Sequence, residues 1–297
     1  MKILIILFLT ILTLNAKTYK IGFAQDTLEN DWRKAQVEEA IKEVSKYPFL
    51  QIEIKDAKTK VANQILHIEQ FIHDGVDFII TSPIDPHVTS LALQKAIDKG
   101  IKVILIDRGI YGDGYTTFIS PDNKKIAKQA AEFIAKEMNY KGVVLMLKGL
   151  EKAMPTTQRE AGFEEVISQY KDIKIIKKRA NYLRTDAIKA MDEIYKDNIK
   201  FDAIYSHSDS MLIGAREVMA KNKDFRKIPT VGIDYIKDAK DAIAKGSQSA
   251  SFTYPTVAKD GIEAIVRIIQ GENVEKNVTI DTTIVTKDNV YKIEPIF

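Results

Sequence analysis

The sequence predicts an α/β protein built as two doubly wound parallel-sheet lobes. Short apolar runs alternate with amphipathic stretches of helical period, the alternation restarts after Asp122-Asn123, and no Pro/Gly/Ser-rich tether separates the halves. Apolar runs set between helical patterns read as buried parallel strands. Parallel strands need helical crossovers of one hand, which cover both faces of each sheet.

The first half reads as strand 19–23, helix 32–46, strand 50–54, helix 61–73, strand 77–80, helix 88–99 and strand 103–106. The second reads as helix 126–138, strand 143–147, helix 158–170, strand 173–176, helix 185–195, strand 202–205 and helix 211–221. Strand 230–233, helix 236–244, strand 250–253 and helix 257–271 complete it. The missing tether predicts short strand-like domain crossovers at 119–122, 254–256 and near 278–281. One lobe is expected over 17–121 plus 255–277, the other over 122–254 plus 278–297.

At 297 residues and 45% hydrophobic content the chain can fill two cores. Residues 2–16 carry one charge, Lys2, then a short apolar stretch and a small residue, Ala16, before a polar start. This reads as a secretion signal over 1–16, and its apolar part is shorter than the run of about 20 residues a membrane helix needs. Export to the periplasm follows, as a chain free to diffuse. Removing Lys2 lowers the net charge of +3 by one, to +2, too little to imply nucleic acid or an acidic membrane. The chain has no cysteine, so its core alone must hold it. Its four histidines, His67, His73, His87 and His207, lack metal-ligand spacing, and the best reading has no metal and no cofactor. Signatures of a serine-hydrolase elbow, a phosphate-cradling loop and a zinc protease are all absent, so the expected role is not catalytic.

Small ligands of an open parallel sheet bind beyond the carboxyl ends of its strands. Asp107-Arg108 ends one such apolar run. A carboxylate accepts neighbouring hydroxyls and a guanidinium donates from a rigid fork, so the pair suits a polyol. The competing reading is an ion pair that only terminates the strand. Other strand ends lead to Asn30, Asp31, Trp32 and Arg33, to Arg159, to Tyr182 and Arg184, to Ser208, and to Asp234. Trp32, the only tryptophan, offers an indole face to a sugar's C–H face, or else anchors its helix. Each polar residue alone could be a helix cap or surface pair. Their recurrence at one end of the sheets carries the argument. Two facing carboxylates, Asp107 and Asp234, would also suit a glycosidase, with their separation deciding.

These residues resemble the periplasmic sugar-binding proteins of ABC importers, of the ribose- and galactofuranose-binding type. The likeness covers nearly the whole chain after the leader. It rests on Ile21 to Gln25 leading to Asn30-Asp31-Trp32-Arg33, on Gly75 to Pro83, and on Val103 to Arg108. Asp122-Asn123, Arg159 to Phe163, Ser206 to Met211 with Ile213 to Ala215, and Val231 to Asp234 complete it. The resemblance implies a type I periplasmic-binding-protein fold, two Rossmann-like lobes on a three-crossover hinge, closing on one small ligand. It implies an aromatic platform at Trp32 and Tyr182, and hydroxyl contacts at Asn30, Asp107, Arg108, Arg159 and Asp234. Ser208 stands where many relatives have asparagine. The segment Phe252-Thr253-Tyr254-Pro255 departs from a common glutamine, leaving either Thr253 or Tyr254 in that place. Arg33, Arg108, Arg159 and Arg184 are numerous for a neutral sugar. They either meet an acidic or phosphorylated ligand, or, the preferred reading for Arg33 and Arg184, brace Asp31 and other carboxylates. The implied partners are a monosaccharide or sugar derivative and a membrane permease. The alternative downstream partner is a sensor kinase or chemoreceptor, with an exported glycoside-processing enzyme less favoured. The expected state is monomeric.

Overall fold

In the computed structural model, which describes residues 17–224 and 226–297, two six-stranded sheets stand side by side. The first half runs β1 (Tyr19–Gln25), α1 (Asp31–Val44), β2 (Leu50–Asp56), α2 (Val61–His73), β3 (Phe78–Thr81), α3 (Pro86–Asp98), β4 (Lys102–Ile106) and β5 (Thr117–Pro121). The second runs α4 (Asn123–Glu137), β6 (Gly142–Lys148), α5 (Met154–Ile167), β7 (Ile173–Arg179), α6 (Arg184–Lys196), β8 (Ala203–Ser206) and α7 (Asp209–Lys221). It continues through β9 (Thr230–Val231), α8 (Lys237–Lys245), β10 (Ala250–Phe252), α9 (Ala258–Ile269), β11 (Asn277–Ile280) and β12 (Ile284–Thr286). The first sheet is ordered β11-β5-β4-β3-β1-β2 and is parallel throughout. The second is β12-β10-β9-β8-β6-β7, with only the edge strand β12 antiparallel.

The central strands β3 and β8 are buried at every residue, as expected of strands covered on both faces. In the first lobe α1 and α9 close one face over Phe23, Ile80, Ile104 and Ile265, while α2 and α3 close the other over Phe71, Ile79 and Leu93. The second lobe repeats this, with α4 and α5 over Met146 and Phe163, and α6 and α7 over Leu145, Ile204 and Leu212. Gly22 admits this packing, since a Cβ there would lie 2.4 Å from the Phe71 ring.

Two helix starts, those of α3 and α4, fall earlier than the apolar period predicts because caps set them. Asp85 accepts from the His87 and Val88 amides ahead of Pro86, so α3 begins at Pro86 and not at 88. Asp122 accepts from Lys125 N and starts α4 at Asn123 in place of 126. Strand β9 ends two residues short of the expected 233, because Asp234 (φ 118°) and Tyr235 (φ 54°) turn the chain sharply.

The chain passes between lobes after β5, after β10 and after β11. Segments 119–122 and 278–281, expected only as crossovers, contribute the ladder strands β5 and β11, which pair with one another. The expected lobe boundary at 277/278 is therefore corrected: Val278 to Ile280 belong to the first sheet. Edge strand β11 is half exposed and carries no long apolar run, so its sequence reads as a strand-like crossover and not as a member of the first sheet. No described helix is long and apolar enough to cross a membrane. The expected signal over 1–16 lies outside the described residues.

Candidate functional site

The carboxyl ends of both sheets face each other, and the side chains there enclose a cavity. Asn30, Trp32, Arg33, Asp107, Arg108, Arg159, Tyr182, Ser208, Asp234 and Tyr254 line it, all foreseen, together with Pro155 and Ser210, which were not. Its volume is ≈ 40 Å³, a few times the ~10–15 Å³ that one water needs on the same measure. That is the scale of a site for one small molecule.

On the first-lobe side four charges form a closed quartet. Arg33 Nε lies 2.9 Å from Asp26 Oδ1 and Arg33 Nη2 2.6 Å from Asp107 Oδ2, while Arg108 Nη1 lies 2.8 Å from Asp26 Oδ2. Burial pushes the Asp107 carboxyl up, but the Arg33 and Arg108 guanidiniums, helped by the Tyr254 hydroxyl, outweigh it and hold the group below its usual range. Arg33 Nη1 also donates to Gln36 Oε1 at 3.0 Å. Asp26, at the end of β1, was missed, although it repeats the strand-end charge that drew attention to Asp107.

The quartet is neutral, which leaves Arg159 and Asp234 as the remaining buried charge-bearing groups of the cavity lining. Arg159 Nε donates to Asn123 Oδ1 at 2.8 Å and its Nη1 donates to the His207 carbonyl. Burial works against its charge, yet Tyr182, Tyr254 and Asp234 keep it raised above its ordinary value. The Asp234 carboxyl accepts no hydrogen bond from the described residues, and burial lifts it well above the usual carboxylate range against the pull of Arg159. An acceptor at Asp234 and a donor at Arg159, both facing one void, can bridge a neutral polyhydroxy ligand.

Asp234 is aimed by a device beneath it. Its positive φ and that of Tyr235 each cost about 1–3 kcal/mol unless the surroundings impose them. Asp209, at the first turn of α7, accepts from Tyr235 N at 2.7 Å and Ser251 Oγ at 2.6 Å on Oδ2, and from Gln248 Nε2 at 2.7 Å on Oδ1. Gly232 leaves room for that carboxylate, since a Cβ there would sit 1.9 Å from Asp209 Oδ1. Burial raises Asp209 to about 6 despite these donors. A folded-state value above the unfolded one means the native state binds the extra proton. Its contribution is present below about pH 4 and lost as pH rises through 6. The stability difference between wild type and Asp209→Asn should therefore fall by up to about 3 kcal/mol from pH 4 to 7. Urea titrations of both proteins at several pH values check this, and a flat difference would refute the buried ionisation.

Tyr182 donates to or accepts from Thr156 Oγ1 at 2.8 Å, and its ring lies against Gly149, where a Cβ would come within 2.0 Å of it. Between the open alternatives at the second crossover, Tyr254 lines the cavity. Thr253 faces away, its Oγ1 accepting from Thr283 N at 2.9 Å, so its place in the site is corrected. Asp31 and Arg184 also stand outside: they pair with each other at 3.2 Å across the lobe rim, both nearly half exposed. Their strand-end positions were read correctly, but the first turn of a helix turns successive side chains to different sides, and Trp32 and Arg33 take the inward ones. Trp32 Nε1 donates to the Tyr254 carbonyl at 3.0 Å, and the indole packs into the second lobe's core. It therefore both anchors its helix and borders the cavity.

Residues 21–273 match the family model for a periplasmic binding protein domain. The ribose import binding protein of Bacillus subtilis is 28% identical over 267 residues, 89% of this chain and 86% of its own. The galactofuranose-binding protein of Escherichia coli is 29% identical over 282 residues, 91% of this chain and 87% of its own. Among solved structures, the fructose-binding periplasmic domain of a hybrid two-component system superposes with a TM-score of 0.86 at 29% identity, covering 92% of each chain.

Proposed function

The chain belongs to the periplasmic binding protein domain family, and from that premise we propose that it is a periplasmic receptor that closes on one monosaccharide and delivers it to the permease of an ABC importer. The observation that carries the reading is the cavity between the lobes, where Trp32 and Tyr182 give aromatic walls and Asp234 and Arg159 face the void with capacity to spare. Ribose, galactofuranose and fructose, the sugars for which three relatives are named, are all monosaccharides. Hinge closure about the three crossovers would bury the ligand's hydroxyls among fixed partners and present the closed form to a membrane partner. The binding residues in this reading are Asn30, Trp32, Arg33, Asp107, Arg108, Arg159, Tyr182, Ser208, Asp234 and Tyr254. The ligand leaves unchanged, and the leader over 1–16 exports the chain. The neutral quartet cancels Arg33 and Arg108, and Asp31 pairs with Arg184 on the rim, which favours an uncharged sugar over an acid.

A second reading has a specific basis. The likeness to a periplasmic domain of a hybrid two-component system supports delivery of the signal to a sensor kinase in place of a permease.

A thermal-shift screen of protein unfolded and refolded to strip carried ligand tests the function. At a hundredfold excess over Kd, a ligand of the native state alone adds about 2.7 kcal/mol, or roughly 5 °C in Tm for a protein of this size. One stereoisomer producing such a shift supports the receptor. A melting curve that no monosaccharide moves removes the sugar from the reading.

A further inference from the structure

Two helices of the second lobe begin against a local rule. The N-terminal end of a helix carries partial positive charge, which favours carboxylates and disfavours cations. Yet α6 opens on Arg184, and Lys152 stands two residues before α5. Neither helix has a side-chain cap, since Leu183 and Ala153 hold those positions. Two helices of the first lobe obey the rule: Asn30 caps α1, whose first turn holds Asp31, and Asp85 caps α3. A departure from local preference marks a place where the sequence answers a second demand.

That demand lies across the cleft. Arg184 Nη2 is 3.2 Å from Asp31 Oδ2, and Lys152 Nζ is 3.8 Å from Asp85 Oδ2, whose other oxygen caps its own helix. Among the described residues these two ion pairs join one lobe to the other. None of the four side chains lines the ligand cavity. Residues within two positions of each charge, Asn30, Ile84, Leu150 and Leu183, line an adjoining cavity that shares Asn30, Arg108 and Tyr182 with it. The pairs therefore stand around the mouth of the site. Opening the lobes parts both pairs, so they exist only in the shut form. A sugar enclosed by both lobes leaves after they open, so its apparent affinity and its dissociation rate both carry the closure equilibrium.

Resting on the receptor reading, we propose that Asp31 with Arg184 and Asp85 with Lys152 form a two-point latch, which holds the lobes shut from outside the ligand cavity and sets how long a bound sugar stays. The Asp31 pair carries most of the effect, because Lys152 is 80% exposed and its contact is longer.

The test is stopped-flow dissociation read by the fluorescence of Trp32, the only tryptophan, which borders the cavity and packs into the second lobe. The probe is whichever of ribose, arabinose, fructose, glucose and galactose binds wild type most tightly by calorimetry. Arg184→Gln should speed dissociation by about 2–5-fold, the worth of an exposed ion pair. Lys152→Gln should speed it less, and the double variant by the product of the two. Calorimetric Kd should rise by the same factors. Asp31→Arg sets two cations face to face and should release faster than Arg184→Gln, while adding Arg184→Asp restores the attraction in reverse and should return the rate toward wild type. Added sodium chloride should quicken release from wild type more than from the double glutamine variant. Without sugar the glutamine variants should melt no lower than wild type, because losing a cation relieves each helix start. Equal rates in wild type and the double glutamine variant, or a charge swap no slower than Asp31→Arg alone, would overturn the latch and leave the receptor standing. A wild type that binds none of the five sugars would overturn the receptor reading and the latch with it.

Discussion

Replacing Asp107 with alanine will lower the unfolding free energy by about 3–5 kcal/mol, the usual consequence of removing one partner from a buried ion cluster. Arg33 and Arg108 would be left with Asp26 as their only carboxylate, all three with side chains about 5% exposed or less. The Tyr254 hydroxyl and Ser82 would lose their acceptor in the same dry space. Each unsatisfied buried group adds its own desolvation penalty, so the effect exceeds that of losing one surface pair, which is worth about 0–1 kcal/mol. Urea denaturation with an unchanged m-value reads it directly. A loss under about 1 kcal/mol would show that the quartet is hydrated in solution.

The same quartet shows what was and was not legible in the sequence. Asp107 and Arg108 announce themselves because they end an apolar run, and the topology of an open sheet sends that end to a crevice. What local pattern cannot supply is pairing across the fold. Arg33 lies seventy-four residues from Asp107 and reads as one more helix-start residue until the structure sets the two 2.6 Å apart. The preference for a bracing role over a ligand charge rested on the rarity of unpaired buried arginines. For Arg33 the partners are Asp26 and Asp107, and for Arg184 the partner is Asp31, on the rim.

The fold was legible for a related reason. Buried parallel strands such as β3 and β4 must be apolar on both faces, so they stand out as runs. Edge strands need satisfy neither face: β11 is read only by its register with β5, and β12 by its antiparallel pairing with β10. The Asp209 network was hidden too, since Gly232, Gln248 and Ser251 carry no periodic signal and meet only when β9, α7 and β10 pack together. Their effect is to hold Asp234 in a backbone conformation that its own sequence disfavours. Conformational strain at the site is thus balanced by buried polar bonds outside it.

Ligand binding should collapse in Arg159→Met while the fold survives. Methionine keeps the length and apolar stem of arginine, and it lies among Tyr182, Tyr254 and Tyr205, where a thioether packs well. The variant loses the donors to Asn123 and to the His207 carbonyl, a structural cost of about 1–3 kcal/mol for each acceptor left unpaired. For the ligand it removes charge-assisted hydrogen bonds in a closed cavity and the opposite charge facing Asp234, an expected fall in affinity of about a hundredfold or more. A second readout separates this from mere loosening. Hydroxyls that donate to Asp234 prefer it ionised, and burial raises its pKa, so wild-type affinity should decline as pH falls. Without Arg159 the carboxyl holds its proton to still higher pH, and the decline should begin at higher pH in the variant. Calorimetric titrations across pH 5–9 would show that displacement. Wild-type and variant curves differing by a constant factor at every pH would mean that Arg159 acts on the ligand without acting through Asp234.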